Sequence, residues 1–353
     1  MKEIIQKDFE IYLGAEILEK LSEILINKEY SKIFILMDTH THKYCWPILS
    51  PYLVNYVTIV IPAGEANKTL KYAEFIWEKF QDNFADRNAV LLNLGGGVIS
   101  DLGGFCAATY KRGIDFINIP TSLLAMVDAS IGGKLGLDFK SIKNSIGLFQ
   151  HPKYILINPL FLKTLPEEEI RNGLAEVCKH AIIDDLSLFE KLAKKAELNW
   201  ENAGNLIFQS LKIKAAIVKK DPEEKGIRKA LNFGHTIGHA IESYSLINDK
   251  KPLKHGEAIA IGMICEAYMS HQLLGLSGKE LNEISHYFLS RFPKYKREIN
   301  FADLEDFLKN DKKNAAGQIN FSLIKKIGKV KIDINCEDAL IEKSLEFYTK
   351  LSA

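Results

Sequence analysis

Residues 89–110 read AVLLNLGGGVISDLGGFCAATY. Ala89 to Leu94 is an aliphatic run of one strand's length, three glycines follow at once, and LGGFCAATY has the texture of a helix. A strand, a glycine turn and a helix in this order bring free backbone N–H groups and a positive dipole end to one point, which suits a pyrophosphate. The turn is not G-x-G-x-x-G, so by itself it reads equally as a tight turn. The flanking sequence gives it a setting. KIFILM, ending at Met37, and YVTIVI, ending at Ile61, are near-continuous apolar runs of the kind buried in a parallel sheet. Between YVTIVI and AVLLNL, residues 69–84 (TLKYAEFIWEKFQDNF) carry apolar side chains at helical spacing. These alternating elements predict an α/β nucleotide-binding domain. Asp38, ending KIFILMD, is either a ribose-binding carboxylate or an Asp that starts a turn.

Beyond YILINP, ending at Pro159, the texture becomes helical, with EEEIRNGLAEVCKHAII and HGEAIAIGMICEAYMSHQLL and few strand candidates. The expected division is a Rossmann-like parallel-sheet domain over residues 1–158 and a mostly α-helical domain over residues 159–353. The chain has 353 residues, 47% hydrophobic and 26% charged, enough for two domains with a substantial core, which excludes a disordered or small disulfide-built protein. Forty-six basic against forty-five acidic residues give a net charge of +1, without the basic excess expected of a nucleic-acid binder. The five cysteines are scattered and form no Cys-x-x-Cys pair, as in a reducing cytoplasm. The N-terminus, MKEIIQKDFE, has no signal-type apolar segment. Tyr44 to Gly64 lacks charge over a bilayer-spanning length, but Pro47, Pro51 and Pro62 oppose a membrane helix, and the expected structure is a loop followed by a buried strand from Asn55 to Ile61. KKDPEEKGIRK, around Asp221, reads as a loop.

Three further stretches could carry chemistry. Ile119 to Phe149 sets Asp128, Lys134, Lys143 and Asn144 among glycines, which suits an anionic ligand or simply a solvated loop. LNFGHTIGHAIE puts His235 and His239 on one helix face, without the glutamate of His-Glu-x-x-His. KHGEAIAIGM adds His255, and GLAEVCKH adds Glu176, Lys179 and His180. One carboxylate and two imidazoles could hold Zn²⁺ with a position open to substrate; spacing leaves open which two histidines take part.

GGGVISD, PTSLLAMVDASIGGK, KNSIGLF, GLAEVCKH, NFGHTIGH and HGEAIAIGM, in this order over most of the chain, closely resemble the 3-dehydroquinate synthase family. The resemblance implies an NAD domain, a helical metal domain, a cleft between them, and a cytoplasmic homodimer. It implies a lyase of the shikimate pathway that converts 3-deoxy-D-arabino-heptulosonate 7-phosphate to 3-dehydroquinate and phosphate, by transient oxidation, phosphate elimination, reduction and intramolecular aldol closure. The implied metal ligands, for Zn²⁺ or Co²⁺, are Glu176, His235 and His255, with His239 a substrate contact. The implied NAD contacts are Asp38, Glu65, Lys68, Gly96, Gly97, Val98, Asp101, Thr121, Ser122, Lys134, Lys143, Phe161 and Thr164. Substrate falls to Asp128, Lys134, Asn144, Lys179, Lys214, Arg228, Asn232 and His239, with one of Lys312 and Lys313, and Arg112 reaches the phosphate of a neighbouring subunit. The chain departs from the family pattern at Ser122, where a second threonine is usual, at Leu135 and Asp138, where T-x-x-N is frequent, and at His40. The implied alternatives are a cyclase for a non-carboxylated sugar phosphate and a metal-dependent polyol dehydrogenase. Arg228, Asn232 and His239 together favour the carboxylated substrate.

Overall fold

The computed structural model describes residues 1–140, 142–194, 200–309 and 319–352. The chain divides into two compact units, Met1–Ile170 with Leu198–Ala215, and Arg171–Glu197 with Ala216–Ala353.

Among the described residues the first unit has nine strands: β1 (Lys2–Ile5), β2 (Glu10–Leu13), β3 (Ile33–Asp38), β4 (Tyr56–Ile61), β5 (Val90–Gly95), β6 (Asp115–Pro120), β7 (Lys134–Phe139), β8 (Ile142–Phe149) and β9 (Tyr154–Ile157). Seven form one sheet in the order β1-β2-β9-β6-β5-β3-β4, parallel except for the β1–β2 pair. Every residue of β5 is buried, as its unbroken aliphatic run requires. Its helices are α1 (Ile17–Lys28), α2 (Thr39–Tyr44), α3 (Trp46–Leu49), α4 (Leu70–Asp82) and α5 (Gly97–Thr109). On α4, Ala73, Ile76 and Phe80 enter a core with Phe34, Leu36, Leu91 and Phe116.

The chain passes from β3 to β4 on one side and then to β5 on the other. That reversal makes the carboxyl ends of β3 and β5 a topological switch point, where open α/β sheets bind ligands. Asp38 ends β3, and Gly96 follows β5 as the N-cap of α5.

Two stretches are more ordered than the sequence predicts. The expected loop before β4, from Tyr44 on, contains α3 and a 3-10 turn, Ser50–Tyr52. Pro47 and Pro51 are no obstacle, because each sits in a first turn, where the missing N–H would have had no partner. The glycine-rich stretch after β6 forms a π-helical turn, Ala125–Ala129, and then the β7–β8 antiparallel hairpin. At Gly147 a Cβ would stand 2.3 Å from the Leu135 carbonyl oxygen, so the hairpin requires glycine there.

The second unit is mainly helical. Helix α6 (Glu167–Asp184) enters it, followed by α7 (Leu186–Lys194); α8 (Trp200–Lys220) belongs to the first unit as far as Ala215, and α9 (His235–Asn248), α10 (His255–Leu274), α11 (Gly278–Arg291), α12 (Phe301–Lys309) and α13 (Asp338–Ser352) complete the second. An antiparallel hairpin, β10 (Asn320–Lys326) with β11 (Lys329–Asn335), interrupts the helices. Its period-two burial is weak, because β11 alternates only between exposed and half-buried positions. Helix α10 is the centre of this unit: from Gly256 to Ser270 all but Glu257 and Tyr268 are buried, and α9, α11, α13 and β10 pack on it. Gly262 of α10 lies so close to α9 that a Cβ there would be 2.0 Å from the Gly234 carbonyl oxygen. Among the described residues no helix is long and apolar enough to cross a membrane.

Candidate nucleotide site and metal centre

In the first unit the switch point gathers most of the residues implied for a dinucleotide. The Asp38 carboxylate caps α2, with Oδ1 accepting from the N–H groups of His40 and Thr41, both at 2.8 Å. The turn-starting reading of Asp38 is therefore observed, with one oxygen capping α2 at the carboxyl end of β3. At the glycine turn, Cβ atoms added to Gly96 and Gly97 would press on Ser122 Oγ at 3.4 Å and Ala129 Cβ at 3.3 Å. Gly96, Gly97 and Val98 are half-exposed at the N-terminus of α5, where the two glycines, without side chains, leave the first N–H groups approachable by a phosphate. Thr121 donates its N–H to the Gly95 carbonyl at 3.0 Å, which fixes Thr121 and Ser122 beside this turn.

Behind the turn lies a charge cluster. Lys68, only 4% exposed, has Nζ 2.6 Å from Glu65 Oε1 and 3.6 Å from both Asp101 Oδ2 and Asp138 Oδ1. Burial works against its charge, but Asp101, Glu65 and Asp138 outweigh that and raise its pKa. Three carboxylates around one lysine leave an excess of negative charge. Asp101 carries the consequence: burial first, opposed by Lys68 and helped by Glu65 and Asp138, lifts its pKa to about 7. A carboxyl that is neutral near pH 7 can donate a hydrogen bond as well as accept one. Its raised pKa means the folded protein holds the Asp101 proton more tightly than the unfolded chain. Its contribution to stability is therefore complete below about pH 4 and is lost as pH rises toward 7. Asp101→Asn, which mimics the neutral acid, should stabilise the protein more at pH 8 than at pH 5.5, by a margin on the order of 1–2 kcal/mol. Thermal unfolding at the two pH values checks this, and an equal effect at both would contradict it.

The substrate candidates of this unit fall into two groups. Lys214 donates to the Asp128 carbonyl at 2.7 Å and pairs with the Asp128 carboxylate, so these two act as a unit. The π-turn that carries Asp128 is tied to the sheet: Asn93 Nδ2 donates to Asn118 Oδ1 at 2.9 Å, and Asn118 Nδ2 to the Ser130 carbonyl at 3.3 Å. Lys134, Lys143 and Asn144 are exposed on the β7–β8 hairpin. Asp138 Oδ1 accepts the Asn144 N–H at 2.8 Å, which links the hairpin to the Lys68 cluster through one side chain. Phe161 is buried and Thr164 exposed in the 3-10 turn Pro159–Thr164. Arg112 is exposed in a turn where Lys111 and Arg112 both have positive φ, 50° and 70°.

In the second unit, α6, α9 and α10 bring one carboxylate and three imidazoles together. Glu176, fully buried on α6, has Oε1 3.4 Å from His235 Nε2 and 3.5 Å from His255 Nε2. The other nitrogens are committed elsewhere. His235 Nδ1 lies 3.1 Å from the Phe233 carbonyl and His255 Nδ1 3.1 Å from Glu242 Oε2, and since both partners are acceptors, both Nδ1 atoms must be donors. A neutral imidazole so arranged points a lone pair from Nε2 at Glu176 Oε1. Lone pairs converging on a carboxylate require a cation between them, and two imidazoles with one carboxylate are a zinc-type donor set. The residues present therefore fit a divalent metal. Where a proton takes its place, burial opposes the imidazolium at His255, but Glu242 and Glu176 override it and hold the pKa up near about 10.

His239, one turn along α9, completes a trio whose ligand nitrogens all lie within 4.8 Å of one another. Its ring centroid is 5.0 Å from that of His235 and 5.7 Å from that of His255. Lys179, buried one turn from Glu176, pairs with the second oxygen of that carboxylate. Arg228 is buried in the 3-10 turn Ile227–Asn232, its N–H on Asp221 Oδ2 at 3.0 Å and its guanidinium on the Pro222 carbonyl. Asn232 Nδ2 donates to Glu224 Oε1 at 2.8 Å. The expected loop around Asp221 is thus a turn wound on the Asp221 carboxylate. Lys312 and Lys313 lie outside the described residues. Sequence reading passed over Glu242 and Glu266; the available signal was a carboxylate inside an otherwise apolar helix face.

Two family descriptions match the chain: 3-dehydroquinate synthase N-terminal over residues 58–172, and 3-dehydroquinate synthase C-terminal over residues 173–314. The 3-dehydroquinate synthase of Parabacteroides distasonis is 40% identical over 343 residues, covering 96% of this chain and 97% of its own. Among solved structures, a 2-deoxy-scyllo-inosose synthase complexed with carbaglucose-6-phosphate, NAD⁺ and Co²⁺ superposes with a TM-score of 0.85 at 21% identity, covering 98% of each chain. The 2-epi-5-epi-valiolone synthase of Streptomyces hygroscopicus subsp. jinggangensis, with NAD⁺ and Zn²⁺ bound, also gives 0.85, at 24% identity over 99% of each chain. At such identities the two structures establish a shared fold.

Proposed function

The chain belongs to the 3-dehydroquinate synthase family, and from that premise we propose how its residues turn 3-deoxy-D-arabino-heptulosonate 7-phosphate into 3-dehydroquinate and phosphate. The observation that carries the reading is the convergence of His235 Nε2 and His255 Nε2 on Glu176 Oε1. Glu176, His235 and His255 hold zinc or cobalt, and Asp38, Glu65, Lys68, the Gly96–Val98 turn, Asp101, Thr121, Ser122 and Lys143 hold NAD, with Phe161 and Thr164 at its margin. When bound, NAD lends and recovers a hydride, and the metal acidifies the hydroxyl to be oxidised.

The protein's own groups supply charge and orientation. The substrate carries a carboxylate and a phosphate, roughly three negative charges, which several converging cations must compensate. Lys179 and Arg228 are buried, so their charges act with little screening by water. Lys214 is aimed by Asp128, and Lys134 and Asn144 are carried on the β7–β8 hairpin. His239 and Asn232 offer hydrogen-bonding groups to substrate hydroxyls. Arg112 serves the phosphate of a neighbouring subunit in a homodimer. We assign residues 1–158 to the nucleotide and residues 159–353 to metal and substrate, in a cytoplasmic enzyme.

A cyclase for a non-carboxylated sugar phosphate is the second reading, since both cyclase structures above share the fold. Competing turnover of the heptulosonate phosphate and sedoheptulose 7-phosphate separates them. A site whose buried cations are arranged for a substrate carboxylate that the second substrate lacks should prefer the first by about 10⁴-fold in kcat/KM. Equal or reversed preference would overturn the assignment.

A further inference from the structure

We propose that Glu266 is a positioning residue for the metal centre, its buried carboxylate clamping the turn that presents His235. This rests on the reading that His235 and His255 hold the metal. Glu266 lies on α10, in the apolar run AIAIGMICEAYM, and is 0% exposed. A carboxylate there is costly unless fully hydrogen-bonded. Its Oε2 accepts the Gly234 N–H at 2.6 Å, and its Oε1 accepts those of Thr236 and Ile237 at 3.1 and 3.2 Å.

Those N–H groups open α9, where the first turn has no partners of its own. A helix ordinarily meets them with a side chain at its N-cap, but here the N-cap is Gly234, at φ +79°. It cannot be otherwise: a Cβ at Gly234 would stand 2.3 Å from Met263 Cγ and 3.1 Å from the Met263 nitrogen. The close approach of α10 thus forbids α9 its own cap, and α10 supplies one in return. The charge also opposes the positive end of the α9 dipole. His235 is the first residue of α9, with Nδ1 against the Phe233 carbonyl. The peptide units on both sides of this ligand are therefore fixed before a metal arrives. The arrangement is reciprocal, because Glu242 of α9 holds His255 of α10.

The test uses Glu266→Gln and Glu266→Asp in the full chain, with zinc affinity read by chelator competition, thermal unfolding, and turnover at limiting and saturating zinc. Gln keeps the size but turns a donor toward backbone N–H groups. Its expected zinc affinity is about 10- to 100-fold weaker, with turnover recovered in excess zinc, and Asp intermediate. A lowered melting temperature with zinc affinity unchanged would leave Glu266 a mere cap and overturn the proposal. His235→Ala is measured alongside: if it binds zinc like the parent, the metal reading itself fails, whereas loss there with retention in Glu266→Gln sinks only the positioning role. If neither Glu266 variant folds, hydrogen exchange of peptides covering residues 233–240 in the parent decides. Slow exchange before zinc is added supports the clamp, and fast exchange that only zinc slows overturns it.

Discussion

His235→Ala should lose its bound metal and its turnover together, while His239→Ala should keep the metal and lose turnover alone. His235 directs a lone pair at Glu176 Oε1 because its other nitrogen is held by the Phe233 carbonyl, so the variant removes one of two imidazoles facing that carboxylate. Several kcal/mol of charge stabilisation go with the ion, and kcat should fall about 10³-fold or more. His239 stands near the same centre, yet Glu176 lies against the Nε2 atoms of His235 and His255. Its replacement should cost about 10²-fold, the size of one lost proton-transfer or hydrogen-bonding partner. Metal content of the purified variants and steady-state rates check both statements. A zinc-free His239→Ala protein would exchange the assigned roles of the two histidines.

Gly262→Ala should be the most destabilising single methyl group in the second unit. The new Cβ would meet the Gly234 carbonyl oxygen at 2.0 Å and the Gly238 nitrogen at 2.7 Å. Both are backbone atoms inside α9 or at its cap, so no rotamer change relieves the contact, and α9 and α10 must separate. Such overpacking should cost at least about 3 kcal/mol. It should also weaken zinc binding, because the two helices carry His235 and His255. Gly278→Ala, where nothing lies within 4 Å, is the matched control and should leave stability unchanged or slightly raised. Thermal unfolding of the two variants in parallel decides, and equal melting temperatures would refute the packing argument.

The Rossmann-like sheet was legible because its inner strands are buried and read as aliphatic runs: KIFILM and AVLLNL appear as β3 and β5 within a residue or two at each end, whereas YVTIVI, expected to be buried, is the edge strand β4 with Tyr56 and Thr58 exposed. Helix α10 was legible for a related reason, since a helix covered nearly all round reads as continuously apolar. The β7–β8 hairpin was hidden, since its exposed strand β8 has polar and apolar residues mixed without alternation. Pro47 and Pro51 misled because their cost depends on position within a turn. Of the metal centre, spacing delivered the four residues and left the choice among the histidines open. The Nδ1 contacts of His235 with the Phe233 carbonyl and of His255 with Glu242, on which the proposed ligand pair rests, are tertiary and carry no sequence signal. Glu266 was unreadable for the same reason, as its meaning lies in a glycine 32 residues earlier.

The near-neutral total charge was informative about nucleic acid and silent about small anions. Lys179 and Arg228 are buried in one unit and Lys68 and Lys214 in the other, and the three lysines have carboxylate partners that cancel them in the sum. The most direct measurement of the whole reading is incubation of metal-loaded protein with 3-deoxy-D-arabino-heptulosonate 7-phosphate and substoichiometric NAD⁺. Phosphate and 3-dehydroquinate should appear in equal amounts, many turnovers per NAD⁺, with no net NADH. Stoichiometric NADH, or no phosphate from a folded and metal-loaded sample, would contradict it.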